Sequence, residues 1–144
     1  MDENCIFCKI VAGKIPCAKV FEDDHTLAFL DINPIAKGHT LVVLKAHYPT
    51  LLDVPAQEGE FLLGALRLVA GAVLGATNAG GINCIQNNFA CAGQMVFHSH
   101  WHLIPRFDND GLPDWPGGQY TDNAEMQQLA RSISTHINDA TGES

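Results

Sequence analysis

Three β-rich runs follow one another within residues 20 to 44, with no space between them for a helix. Val20 to Phe21 and Thr26 to Ile32 flank the acidic turn Glu22-Asp23-Asp24 and read as a hairpin. Asn33-Pro34 ends the second run, and Gly38 to Leu44 is a third, mostly apolar strand. A long helix is expected from Asp53-Val54-Pro55 to about Thr77, stopped by Asn78 and Gly80-Gly81. Ile82 to Gln86 and Phe97 to Arg106 read as the fourth and fifth strands, and Gly111 to Gly118 as a loop. Asp122-Asn123-Ala124-Glu125 fits a capping box, opening a last helix with Met126, Leu129, Ala130, Ile133 and Ile137 on one stripe. Strands that follow one another without β-α-β alternation predict an α+β domain, its sheet antiparallel and its helices gathered on one face. No repeat or linker divides the chain, so residues 1–144 are expected to close one core.

Composition narrows the function. With 47% apolar and 17% charged residues, disorder, coiled coil and collagen-like repeats are excluded. A formal charge of -8 lacks the basic footprint that a polynucleotide needs, so no nucleic-acid partner is expected. A small phosphorylated ligand held by a few local donors remains open. Met1-Asp2-Glu3-Asn4 has no apolar signal region, and the greasy stretch Phe61 to Leu74 is broken by Gly64, Arg67 and Gly71. The expectation is a cytoplasmic protein with no membrane partner. Thiols there stay reduced, and closely spaced cysteines read as metal ligands or redox groups. Of Cys5, Cys8, Cys17, Cys84 and Cys91, the first two alone have a diagnostic spacing.

The long helix puts Leu62, Leu66, Val69 and Val73 on one face and Gly64, Gly71 and Gly75 on a strip beside it. Interior helical glycines cost roughly 1 kcal/mol each relative to alanine, so the strip needs a reason. It serves either close packing within the domain or the approach of a second subunit. The narrow polar arc of Glu60 and Arg67 favours a homodimer.

Chemistry concentrates in His98-Ser99-His100-Trp101-His102. Alternation on a strand sends the three imidazoles to one face, about 6.5 Å from one to the next, with Ser99, Trp101 and Leu103 facing the core. Such a row can hold a metal, or it can bind and attack a phosphate with one ring as nucleophile. Cys5-Ile6-Phe7-Cys8 offers two thiolates at zinc-site spacing, to be completed by two of His25, His39, His47, the triad and His136. The loop Asn87 to Gln94, rich in amides and carrying Gly93, is suited to present backbone N–H groups to an anion.

These segments resemble the histidine triad (HIT) superfamily. The likeness rests on His98 to Ile104 followed by Pro105-Arg106, with Cys5-Ile6-Phe7-Cys8, Leu30-Asp31-Ile32, Gly38 to Val42, Lys45-Ala46-His47 and Ala92-Gly93-Gln94. It spans roughly residues 5–107, leaving a C-terminal loop and helix over 108–144, and it is nearest the zinc-binding bacterial Hint-like branch. The resemblance implies a five-stranded antiparallel sheet that pairs into ten strands across a homodimer. It implies a structural zinc on Cys5, Cys8, His47 and His98, with His100 as the nucleophile. The substrate would be a purine nucleotide or nucleoside phosphoramidate, attacked at its α-phosphate through a covalent nucleotidyl-histidine. His102, Gln94 and the backbone at Gly93 and Met95 would serve the phosphate, Asn87 the nucleotide, Asp31 the ribose and Ile32 the base. His39 would support the histidines that touch ligand.

Four positions depart from the family pattern. Met95 stands where many relatives place a hydroxyl or carboxylate near the leaving group. Phe89-Ala90 stand where a glycine and an acidic residue are frequent, and Ser99 replaces an apolar residue. Rival readings are a dinucleoside polyphosphate hydrolase, a nucleotide-binding module with vestigial catalysis, and a metallohydrolase using the triad as ligands. His25 and His136 are read as solvated. Cys17, Cys84 and Cys91 are read as ordinary thiols, with Cys91 near the phosphate loop.

Overall fold

The computed structural model describes residues 1–113 and 115–142, so Asp114 of the expected loop, Glu143 and Ser144 lie outside the described residues. Five strands form among the described residues: β1 (Lys19–Glu22), β2 (Thr26–Leu30), β3 (Thr40–Leu44), β4 (Gly81–Ile85) and β5 (His100–Arg106). They pair antiparallel in the order β1-β2-β3-β5-β4. Asp23 builds the first hairpin, its Oδ1 accepting from the backbone N–H groups of His25 and Thr26 and from the Thr26 hydroxyl.

The long helix, α2 (Gly59–Thr77), starts six residues later than expected, after short 3-10 turns at Leu51–Asp53 and Ala56–Glu58. Pro55 is the reason. It has no N–H to give a helix and holds Val54 extended. At the other end Asn78 adopts the left-handed conformation (φ 57°), a common C-terminal stop. With its preceding turn the segment Ala56–Thr77 is longer than Phe61 to Leu74 suggested, and an 18-residue window of it has a mean hydropathy of 1.5, so it would pass as a membrane span by length and composition. Its inner face nonetheless packs on the sheet. Leu62, Ala65, Val69 and Val73 share a core with Ala28, Val42, Leu44, Trp101 and Leu103. Among the described residues, nothing beyond the helix's own backbone lies within 4 Å of where a Cβ would stand at Gly64, Gly71 and Gly75, so close packing against another element of the chain does not explain them.

The expectation that all helices gather on one face is corrected by α1 (Ile6–Val11), which no pattern in the sequence announces. Leu27, Phe29, Leu41 and Val43 point away from α2 and pack with Cys5, Phe7 and Cys8 at the start of α1. Both faces of β2 and β3 are apolar, so both must be covered. The contacts of the chain divide it into two compact units, Met1–Asp110 and Gly111–Ser144. The second contains α3 (Asn123–Thr141), opened by Asp122, whose side chain accepts from the Glu125 N–H.

Candidate functional site

The triad is divided by its backbone. Strand β5 begins at His100, three residues later than expected, and His98 sits in the bend before it. The Ser99 N–H donates to the Tyr48 carbonyl at 2.7 Å, which anchors that bend. His98 is fully buried, and its Nε2 lies 2.7 Å from the Leu44 carbonyl oxygen. A carbonyl only accepts, so Nε2 carries the proton and Nδ1 keeps its lone pair. That Nδ1 faces Cys5 Sγ at 3.5 Å, Cys8 Sγ at 3.5 Å and His47 Nδ1 at 3.3 Å. Cys8 Sγ lies 3.3 Å from His47 Nδ1.

These four donors sit within 4.8 Å of one another and could hold a metal ion. The spacing fits the chemistry. Bonds of about 2.3 Å to sulfur and about 2.0 Å to nitrogen give a tetrahedron with S···N edges near ~3.5 Å and N···N edges near ~3.3 Å. Helix α1 supplies the thiolate pair, Cys5 as its N-cap and Cys8 one turn in, where the Cys8 N–H points at Cys5 Sγ (3.3 Å). His47 follows β3, and its ring meets that of His98 edge on. Without a cation, burial pushes the Cys5 thiol up and disfavours its thiolate.

His100 is paired with Val43 in the register of the sheet and faces the α1 side, where the Phe7 ring meets it edge on at 5.1 Å. Its Nδ1 lies 2.8 Å from the His98 carbonyl oxygen, so Nδ1 holds the proton and Nε2 is the nitrogen with a free lone pair. Burial lowers its basicity, with the His98 carbonyl and the Asp31 charge opposing. An uncharged imidazole with a fixed tautomer is a competent nucleophile.

Beside His100 opens a cavity of about 420 Å³, within the usual size for small-molecule sites. Asp31, Ile32, Asn87, Gly93, Met95 and His102 line it together with His100, from four separate stretches of chain. Its other end is apolar, with Phe7, Ile10, Ile15 and Phe29 in the wall. Asp31 Oδ1 accepts from the Asn33 N–H at 2.9 Å, which orients a carboxylate with acceptor capacity to spare. Cys17 also lines the cavity, whereas Cys91, the thiol singled out from the sequence, is exposed elsewhere. His25 is exposed, as expected, and its ring stacks on Phe61 with ring centres 3.6 Å apart. His136 is exposed, as expected.

Gln94 corrects one expectation, because its side chain does not line the cavity. It is 3% exposed, and both amide protons are committed, to the Pro49 and Val96 carbonyls, while Oε1 accepts from the Phe89 N–H at 2.7 Å. That last bond holds a strained residue. Phe89 has φ 73° and ψ 156°, a region nearly confined to glycine. Gly93 at φ 98° then closes the turn. Strain of this kind costs about 1–3 kcal/mol, and interior glycine gives back about 0.5–1 kcal/mol in chain entropy. Phe89→Gly should therefore raise unfolding stability by roughly 1 kcal/mol in a denaturant titration. A loss of stability instead would show that packing of the half-exposed ring outweighs the strain.

His102 lies opposite Leu41 and Ile85 and meets His39, whose Nε2 is 2.9 Å from His102 Nδ1. Burial first, and then the His100 and His39 rings, push the His102 pKa down to about 4, against the Asp31 charge. Burial also lowers His39. In the unfolded chain these histidines titrate near 6.5, so they take up protons there before they do in the folded protein. Stability should be flat above pH ~6.5 from these groups and fall as pH drops from about 6.5 toward 4. A Tm series across that range checks it, with a shallower fall expected in His102→Gln; equal slopes would remove His102 from the account.

The HIT domain family profile matches residues 12–109. An adenylylsulfatase of Arabidopsis thaliana is 42% identical over 95% of this chain and 71% of its own length. An adenosine 5'-monophosphoramidase of Saccharomyces cerevisiae is 38% identical over 92% of this chain and 82% of its own. The crystal structure of a HIT family member from Bacillus subtilis superposes with a TM-score of 0.86 at 41% identity, covering 92% of this chain and 96% of that one.

Proposed function

This chain belongs to the HIT domain family, and from that premise we propose that it hydrolyses or transfers nucleotides at the α-phosphate through a covalent nucleotidyl-histidine on His100. The observation that carries this reading is the His100 Nδ1 to His98 carbonyl bond of 2.8 Å, which leaves Nε2 unprotonated on the wall of the cavity. In this reading Nε2 forms the bond to phosphorus, the leaving group departs, and water then releases the nucleoside monophosphate. The apolar end of the cavity takes the base beside Ile32, and Asp31 accepts from the ribose hydroxyls. Asn87 and the loop at Gly93 and Met95 border the phosphate with His102. Gln94 contributes by bracing that loop. Most of the acceleration comes from positioning and from donors around the phosphoryl oxygens.

Zinc is the ion we assign to Cys5, Cys8, His47 and His98, and with four protein ligands its part is structural. It would tie the start of α1 to the bend from which the His98 carbonyl orients His100. We assign a homodimer as well, with the exposed glycine strip of α2 and the sheet edge at β4 as its contacts, forming the ten-stranded sheet.

Two leaving-group classes are in contention, and one residue separates them. An amine must be protonated as it leaves, and Met95, which lines the cavity where relatives carry a hydroxyl or carboxylate, has no proton to give. A sulfate leaves as a stable anion and needs none, which favours adenylyl sulfate as a second substrate beside the phosphoramidate, in line with the name of the Arabidopsis relative. The test is a panel of adenosine phosphoramidate, adenylyl sulfate and a dinucleoside polyphosphate, each quenched early to trap nucleotidylated histidine. Trapped label on His100 with at least one substrate supports the proposal. Tight binding of AMP with no turnover and no label would make the chain a binding module instead.

A further inference from the structure

We infer that the backbone N–H of Ile35, acting through His39, sets the tautomer of His102 and so ties the loop carrying Asp31 and Ile32 to the phosphate end of the cavity. The inference rests on the proposed nucleotide chemistry only in what it names as the ligand.

The chain of bonds is directional at its first member. Ile35 N lies 3.1 Å from His39 Nδ1, and an amide N–H can only donate, so Nδ1 must hold a lone pair. A neutral His39 then carries its proton on Nε2, 2.9 Å from His102 Nδ1. Asp31 Oδ2 is 3.7 Å from the same Nε2, too far to draw that hydrogen away. His102 Nδ1 therefore accepts, and a neutral His102 carries its proton on Nε2. The groups facing His102 are His39 and Asp31 from the β2–β3 side, and His100 on its own strand at a ring separation of 5.1 Å. Its register neighbours Leu41 and Ile85 are apolar. None of these supplies another donor to Nδ1.

The first donor belongs to the loop that joins β2 to β3. That loop is closed at its base by Asp31 N–H to the His39 carbonyl (2.9 Å) and His39 N–H to the Ala36 carbonyl (2.9 Å). The Ile35 side chain is 68% exposed, so the residue's contribution inward is its N–H. While the loop keeps this conformation, with Asp31 and Ile32 on the cavity wall, His102 offers an N–H toward a bound phosphate. Once the Ile35 N–H withdraws, nothing holds His39 to one tautomer. With the His39 proton on Nδ1, its Nε2 becomes an acceptor, and His102 must turn its own proton inward to meet it. His102 then presents a lone pair to phosphate oxygens. Ile35 and His39 are positioning residues on this account, and a nucleoside that seats on Asp31 and Ile32 holds the donor in place.

The test reads tautomers directly, by long-range proton–nitrogen NMR of the full-length, metal-loaded protein without ligand. His39 and His102 should both show the Nε2–H form. Ile35→Ala keeps the N–H and should leave both tautomers unchanged. Ile35→Pro removes it and should mix the tautomers of both rings and lower kcat by about a hundredfold, the lower end of the scale of a lost transition-state donor. Where the second proline disturbs the loop, His39→Phe tests the same link by removing the donor to His102, and His39→Gln should restore the His102 Nε2–H form through its amide. An Nδ1–H form of His102 in the parent overturns the inference, as does an unchanged His102 in His39→Phe. Because the NMR readout needs no substrate, failure of turnover on the whole panel would sink the proposed activity while leaving the tautomer result to stand or fall by itself.

Discussion

His100→Ala is expected to lower turnover of the best substrate on the panel by about a thousandfold or more while leaving metal content and Tm close to those of the parent. The size follows from the role. A nucleophile is part of the bond being made, so its loss removes the covalent route, and what remains is positioning by the cavity. The retained fold follows from where His100 sits. Its side chain packs edge on against Phe7 and lines the cavity, whereas the four donors that could hold a metal come from His98, His47, Cys5 and Cys8. The measurement is steady-state kinetics beside metal analysis and a thermal melt. Turnover equal to the parent's would remove His100 from the chemistry. Loss of metal together with activity would instead favour the metallohydrolase reading.

The second large effect is expected from Cys8→Ser. Cys8 is fully buried and lies within 3.5 Å of both His47 Nδ1 and His98 Nδ1. If the four residues hold zinc as proposed, replacing Cys8 should release it, and the remaining thiol and imidazoles would be left polar and buried with no partner of matching charge. Zinc binding contributes about 10–16 kcal/mol in zinc-finger peptides, which have little else to fold around. Here the apolar cluster under α2 holds one face of the sheet without the metal, although the cluster on the other face includes Cys5 and Cys8 themselves. A loss of roughly 3–5 kcal/mol is expected, the scale of breaking one buried charged pairing, with Tm lower by on the order of 10 °C. Activity should fall with it, because the carbonyl that orients His100 belongs to His98. Cys84→Ser, on the exposed face of β4, is the control and should keep full metal. A Cys8→Ser protein with parental metal content and Tm would show that these four residues do not form the metal centre.

Much of this was legible in the order of residues, and the reasons are specific. Cys5-x-x-Cys8 is a metal-site spacing and the histidines at 98, 100 and 102 alternate, so the residue types for metal and phosphate chemistry could be read without the fold, although His98 proves to lie in the bend before β5. Asp31, Ile32, Asn87 and Gly93 were reachable through family resemblance, and the cavity brings them together. Gln94 misled because an amide beside a glycine looks the same whether it faces a ligand or, as here, two backbone carbonyls. Helix α1 was missed because six residues are too short for any periodic signal. Its start packs on the face opposite α2, and that placement is what brings Cys5 and Cys8 to His47 and His98.

What the sequence determined by itself was local: the strands and their alternation, the long helix and its stop at Asn78, and which residue types were available for metal and phosphate chemistry. The tertiary structure alone decided which nitrogen of each histidine is free. Leu44 and His98 carbonyls set the tautomers of His98 and His100, and the Ile35 N–H sets that of His39 and, through it, His102. Those partners are backbone groups, identical in every residue but proline, so no side-chain pattern announces them. Their positions exist only once β3, β5 and the β2–β3 loop have packed, and with them the different free nitrogens that one row of histidines presents.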